Sequence, residues 1–393
     1  MATENYGVTA RQSASQASTP ISTDTIIVFI GDSTSGADSK PVWCSSMSSY
    51  KSHFGNDGTL LEAAHCVFDL VGIRGAYFIS ALKDGAAATS AELIGAIEEG
   101  IPQIFMEHGD VATIGVVLGG PDVATKNVVL ILSNALKHTS VGDGKFNGIV
   151  YYDGDSSEET SDGKKLDIAN DRCVCNVDDV IISMSAGSVT EKASGAAYKA
   201  CLLAAADVSQ DGHLPCRTIG NLYCPNILGV CDKSLAKITR LEEKATELSA
   251  DGITSWINSG GGKYYTWGDH TSAYANNTVA DELGRFDSNV RMLNHLKNRA
   301  MLKYKVDIDS PMTPQLRNDI LTSENRYLAY CVSVGALIGS PRCVFTAVDN
   351  TTETLQRGEF YFEELCTVTP PSKFIDFNFV FTSEGFSVYL INE

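Results

Sequence analysis

The chain has 393 residues, 44% of them hydrophobic and 20% charged, enough for two or three domains with cores of their own. Its 48 acidic and 30 basic residues give a formal charge of −18, which argues against a nucleic-acid or anionic-membrane surface, since both need clustered Lys and Arg. No apolar run reaches the roughly 18–20 residues of a membrane helix, and Met1-Ala2-Thr3-Glu4-Asn5-Tyr6 lacks the regions of a signal peptide, so folding in a cytoplasm is expected.

Residues 12–24, rich in Ser, Thr and Gln, are too polar to build a core and read as a tether for Tyr6-Gly7-Val8-Thr9, a segment that suits a strand docking elsewhere. The run at 25–30 is apolar and β-branched, as in a strand covered on both faces. After Asn56-Asp57-Gly58 a helix carries Leu60, Leu61, Ala64, Val67, Phe68 and Val71 on one stripe. Strands at 76–81, 113–118 and 148–152 alternate with helices at 90–99 and 123–136, which predicts βαβ crossovers and a mainly parallel sheet. An acidic surface loop follows at 153–170, then a strand at 180–184 and a helix at 194–206.

Gly260-Gly261-Gly262 separates strands at 253–257 and 263–267 as a hairpin turn would. A long amphipathic helix is predicted through Val279, Leu283, Phe286, Val290, Leu293, Leu296, Ala300 and Tyr304. Thr313-Pro314 opens another, which carries Leu316, Ile320, Leu328, Cys331 and Val334 and stops near Gly339-Ser340-Pro341. Strands at 343–348, 359–368 and 374–381 close the body, the last with Ile375, Phe377, Phe379 and Phe381 on one face. Beyond Ser383-Glu384-Gly385 a final strand is predicted at 386–390.

Gly31-Asp32-Ser33, directly after a buried strand, resembles the nucleophile block of SGNH hydrolases, and Gly55-Asn56-Asp57 their later Asn block. That chemistry needs a histidine from Asp-x-x-His to take the serine proton, and none of the seven histidines has Asp three residues before it. The motif therefore reads as a turn; a hydrolase using Ser33 is an alternative that loss of ester turnover in Ser33→Ala would reveal. Gly142-Asp143-Gly144-Lys145 and Gly261-Gly262-Lys263 lack phosphate-loop spacing, and His213 with Cys216 and Cys224 fits no common metal site. No catalytic residue, cofactor or metal is expected.

The basic run Arg291, His295, Lys297, Arg299, Lys303 and Lys305 reads as the wet face of a helix, with a charged face for a partner such as a tube as the sharper alternative. Cys66, Cys201, Cys331, Cys343 and Cys366 fall in helix or strand patterns that suit burial. Cys44, Cys173, Cys175, Cys216, Cys224 and Cys231 sit in loop-like sequence, where they could cross-link copies outside a reducing compartment.

The order of these elements resembles the contractile tail sheath proteins of phages, R-type bacteriocins and related injection machines. The resemblance rests on Tyr6-Gly7-Val8-Thr9 ahead of the linker, Lys40-Pro41-Val42, Phe54-Gly55, Gly119-Gly120-Pro121-Asp122 and Tyr151-Tyr152-Asp153-Gly154. It continues in Tyr264-Tyr265-Thr266-Trp267-Gly268-Asp269-His270-Thr271, where Asp269-His270 replaces the family's Asn-Arg, and in Val368-Thr369-Pro370-Pro371-Ser372-Lys373-Phe374-Ile375.

The resemblance implies a non-enzymatic, mechanical subunit of stacked six-membered rings around an inner tube, contracting to drive that tube through a host envelope. Its partners would be other copies of itself, the tail tube protein, and baseplate and tail terminator proteins. It implies no direct nucleic acid contact, and a location in a virion tail assembled in the host cytoplasm. The expected organisation is an N-terminal arm and linker at 1–24 packing with the inner domain, an outer α/β domain at 25–230 with a mainly parallel sheet, a connection at 231–253, an inner α+β domain at 254–382 and a C-terminal arm strand at 383–393.

The arm strands, Tyr6, Gly7, Val8 and Thr9 at one end and Phe386, Val388, Tyr389 and Leu390 at the other, would complete sheet edges of neighbouring copies. A hairpin of 386–390 back onto 374–381 within one subunit is left open by Ser383-Glu384-Gly385. A non-contractile structural array is the remaining alternative, and it would show a single lattice.

Overall fold

A computed structural model describes residues 25–36, 38–81, 88–137, 147–209, 214–275 and 278–390, the side chain of Leu390 excepted. The tether, Tyr6, Gly7, Val8, Thr9, the turn at 142–145 and His213 lie outside the described residues. The first apolar run becomes β1 (Ile27–Gly31), buried throughout, and is followed by β2 (Pro41–Cys44), α1 (Met47–Phe54) and α2 (Thr59–Ala64), which runs on as a π-helical segment, His65–Val71. The expected alternation continues through β3 (Ala76–Ser80), α3 (Ser90–His108), β4 (Ile114–Val117), α4 (Lys126–Ala135) and β5 (Ile149–Asp153). Thr89 and Glu92 form a reciprocal cap that starts α3.

Next in the chain are α5 (Ser161–Lys164), β6 (Cys173–Asn176), β7 (Asp179–Ser185), β8 (Ser188–Ala193), α6 (Gly195–Val208), β9 (Gly229–Cys231), β10 (Lys237–Ile238), α7 (Glu242–Ala250), β11 (Ile253–Asn258) and β12 (Tyr264–Trp267). Eight strands form one sheet in the order β12-β11-β6-β5-β4-β1-β3-β2, parallel except for the edge strands β12 and β2. Alternate side chains of β1 enter opposite cores: Ile27 and Phe29 pack with Tyr50, Phe54, Val67 and Tyr198, whereas Val28 and Ile30 pack with Ile97, Ile101, Val129 and Leu132. Each such side chain contributes about 1.5–3 kcal/mol of transfer free energy. β7 to β10 form a separate antiparallel sheet, β10-β9-β7-β8.

The boundary expected at residue 254 falls inside the large sheet, because β11 pairs in parallel with β6 through Ile253 with Cys175 and Thr254 with Asn176. Residues 253–257 are all buried, so the hairpin extends the first sheet and does not open a new domain. A second core does exist further along. Leu214, Met292, Leu296, Leu328, Cys331, Leu337 and Val368 gather between α8 (Asp287–Tyr304), α9 (Pro314–Ser333) and an antiparallel ribbon; past α9 the chain runs through β13 (Leu337–Val344), α10 (Thr352–Gln356) and β14 (Glu363–Val368), and β13 and β14 make the ribbon.

Thr313 caps α9 as expected, its Oγ1 accepting from the Leu316 amide at 3.1 Å with Pro314 in the first turn. That helix ends at Ser333, earlier than predicted, and Gly339-Ser340-Pro341 lies within β13. The ribbon shifts register between Ile338 and Arg342, where Gly339 has φ 80° and Pro341 has no amide to pair. α8 starts at Asp287, eight residues later than Val279, and Leu283 is exposed. Among the described residues no helix is long and apolar enough to cross a membrane.

Candidate functional site

The chain leaves the second core at Thr369, whose amide donates to Ala336 O at 3.2 Å, and passes through Pro370-Pro371 to Lys373, which pairs with Asp269. Neither strand expected beyond this point forms. Residues 374–381 have no ladder partner among the described residues, and Glu384–Leu390 is a 3₁₀-helix, so the single-subunit hairpin of 386–390 onto 374–381 does not form. The physical reason is that alternation defines a face but supplies no edge, and a lone strand leaves its amides and carbonyls unpaired. Phe379 is 91% exposed, Phe374 and Phe381 85% and Tyr389 84%, with Ile375, Phe377, Phe386 and Val388 exposed beside them. Large exposed apolar patches are uncommon on monomeric proteins and generally serve as interaction sites.

The predicted basic face is largely turned inward. Arg291 is 4% exposed, pairs with Asp207 and donates from Nη1 to Arg217 O at 3.1 Å. His295 Nε2 lies 2.6 Å from Tyr327 Oη, and burial first, then Arg299 and Arg291, push its pKa down to about 4. Arg299 and Lys303 converge on Glu324 of α9 with Tyr304 Oη; burial lifts this carboxyl, but the hydrogen bonds outweigh it and hold it at about 2. Lys297 and Lys305 remain exposed. The correction arises because α8 buries Asp287, Asn294 and Asn298 as well: Asn294 donates to Gly148 O and Asn298 bridges the Asn147 backbone, so this helix caps the start of β5 with polar groups.

Asp207, Thr218 and Glu324 were not singled out from the sequence. The available signal was a carboxylate inside an otherwise apolar helix stretch, as for Asp207 after Ala204-Ala205-Ala206. Where Asp269-His270 replaces Asn-Arg, Asp269 is buried and accepts from Thr218 Oγ1 at 2.8 Å. His270 stacks on Tyr274 at 3.8 Å, and burial pushes its pKa down to about 4.

Ser33 is buried, donates to Ser35 O at 2.6 Å and shares a 2.7 Å hydrogen bond with Ser80 Oγ. Asp32 caps α2 by accepting from the Thr59 amide at 3.1 Å. A Cβ on Gly58, at φ 94°, would lie 2.3 Å from Asp32 O, so Gly-Asp-Ser and its glycine partner form a closed turn. Gly261 and Gly262 sit in the β11–β12 turn. Among the described residues no group of three or more His, Cys, Asp or Glu is placed to hold a metal ion.

The loop assignment of the candidate cross-linking cysteines is corrected for four of the six. Cys44, Cys173, Cys175 and Cys231 lie in β2, β6 and β9, and these four and Cys224 are buried; Cys216 is half-buried. Short strands flanked by polar residues had read as loops. Burial raises the Cys173, Cys175, Cys224 and Cys231 thiols to about 12, so little thiolate exists near neutrality. Non-reducing electrophoresis is expected to give one monomer band, and a thiol reagent to modify the folded subunit at Cys216 and Cys366 alone; a ladder that collapses with reductant would contradict this.

No family model matches the chain. A curated relative, the major tail sheath protein of Serratia phage KSP20, is 27% identical over 187 residues, 48% of this chain, and the chain spans 44% of that relative's length. The helical sheath of the anti-feeding prophage in its contracted state aligns with a TM-score of 0.71 at 16% identity, over 96% of this chain and 99% of that one. The sheath complex of the PVC extracellular contractile injection system, also contracted, gives 0.69 at 14% over 98% and 99%. The sheath tail protein from Listeria innocua gives 0.57 at 10% over 88% and 95%. In sequence over about half its length, and in fold over nearly all of it, the chain is similar to contractile tail sheath proteins.

Proposed function

We propose that the protein is a sheath subunit that polymerises as stacked hexameric rings around an inner tube and contracts to drive the tube forward, with a baseplate and a terminator at the ends of the array. The observation that supports this reading is the exposed aromatic segment 374–389, which pairs with no strand among the described residues. An extended segment added to another copy's sheet gains backbone hydrogen bonds, while alternate rings fill pockets. Tyr6, Gly7, Val8 and Thr9 would act in the same way at the other end, on a polar linker whose flexibility keeps the joint closed during movement. Relatives of this fold are known in contracted form. Contraction then requires no nucleotide: two packings of the same subunits differ in free energy, and triggering releases the difference.

Negative-stain microscopy of the purified protein is expected to show hollow striated tubes. Dispersed particles at high concentration would count against polymerisation. One unchanging lattice under every condition would favour a non-contractile array.

A further inference from the structure

The described chain begins and its C-terminal segment departs at opposite ends of one run of buried polar groups. Thr25 Oγ1 donates to Asp207, which pairs with Arg291. Arg291 Nη1 donates to Arg217 O at 3.1 Å, and the next residue, Thr218, donates through Oγ1 to Asp269 at 2.8 Å. Asp269 accepts from Lys373, the last residue before the exposed rings, and its carbonyl accepts from the Asp287 amide at 3.1 Å. Asp207 and Asp269 are each 1% exposed, and Arg291 4%.

We propose that this Asp207–Arg291–Thr218–Asp269 run is a positioning post that roots both terminal segments, with the Asp269–Lys373 pair setting the direction in which the C-terminal segment leaves the body. The inference rests on the reading that these segments join copies. Charge supports it: Asp207 pairs with Arg291 and Asp269 with Lys373, while burial lifts the neighbouring Asp287 carboxyl to about 7. Lys373 links the segment's root to this set, whereas Pro370 and Pro371 before it have no amide to donate. Its Nζ also lies 5.6 Å from the centre of the Phe286 ring, which narrows the positions it can take.

The test uses the full-length subunit held at a concentration below assembly, digested briefly with chymotrypsin. Cleavage after Phe374 is expected to speed up about tenfold in Lys373→Met and in Asp269→Asn, since local opening sets the rate. The double variant should be no faster than either single, because one contact is lost in all three. Asp207→Asn, at the other root, should also speed cleavage at Phe374. Unchanged rates in variants with native circular dichroism, or additive effects of Lys373→Met and Asp269→Asn, would overturn the proposal. If Asp207→Asn does not fold, Thr218→Val removes the connecting hydroxyl and must raise the rate in its place. Because cleavage is read on unassembled protein, this outcome is separable from the presence or absence of tubes in microscopy.

Discussion

Removal of residues 374–393 is expected to leave a folded subunit that forms no tubes. The rings of Phe374, Phe377, Phe379 and Phe381 are at least 71% exposed, so they contribute little to the subunit's own core. Unfolding free energy should therefore change by no more than about 0.5 kcal/mol, as for other surface alterations. Seated in pockets of a neighbouring copy, each ring would contribute about 1.5–3 kcal/mol, and four together exceed many times over the 1.4 kcal/mol or so that shifts an equilibrium tenfold. Phe379→Ser alone should raise the concentration needed for assembly at least tenfold on the same scale. Sedimentation and negative-stain microscopy measure both. Intact tubes from the truncated chain would mean that the segment is dispensable, and the proposed joint would have to lie elsewhere.

A different class of loss is expected from Arg291→Met. The change keeps the stem's volume but leaves Asp207 buried without its cation, and breaking one half of a buried pair costs about 3–5 kcal/mol. Burial already lifts the Asp207 carboxyl, with Arg291 the main opposing influence, so in the variant the carboxyl should be lifted further. Denaturant titration should show the loss as a lower midpoint with an unchanged slope. Replacing both partners, Asp207→Leu with Arg291→Met, should recover part of the stability. If instead the variant unfolds like the parent but no longer engages a tube, Arg291 serves a surface role and its inward placement is wrong.

The apolar runs at 25–30, 76–81, 113–118 and 148–152 were legible because strands buried on both faces have no alternative use in a folded chain. The Thr313-Pro314 start of α9 was legible for a similarly local reason, a cap that satisfies a free amide. What failed depended on partners distant in sequence. Nothing near Thr254 reveals that its strand pairs with Cys175 and Asn176, and the regular spacing of basic residues along α8 does not disclose that Asp207 and Glu324 wait inside for them. The expected strands at 374–381 and 386–390 fail for a third reason, because alternation describes a face but supplies no edge, and no described strand pairs with them.

The continuous eight-stranded sheet ties residues from Ile27 to Trp267 into one stiff plate, hydrogen-bonded from edge to edge. Such a plate transmits load without hinging, since bending it would break ladder bonds along its whole width. On the proposed reading, an array of these subunits would absorb a change of packing as rigid tiles do, by sliding and tilting against one another, with the slack confined to the terminal segments proposed to join them.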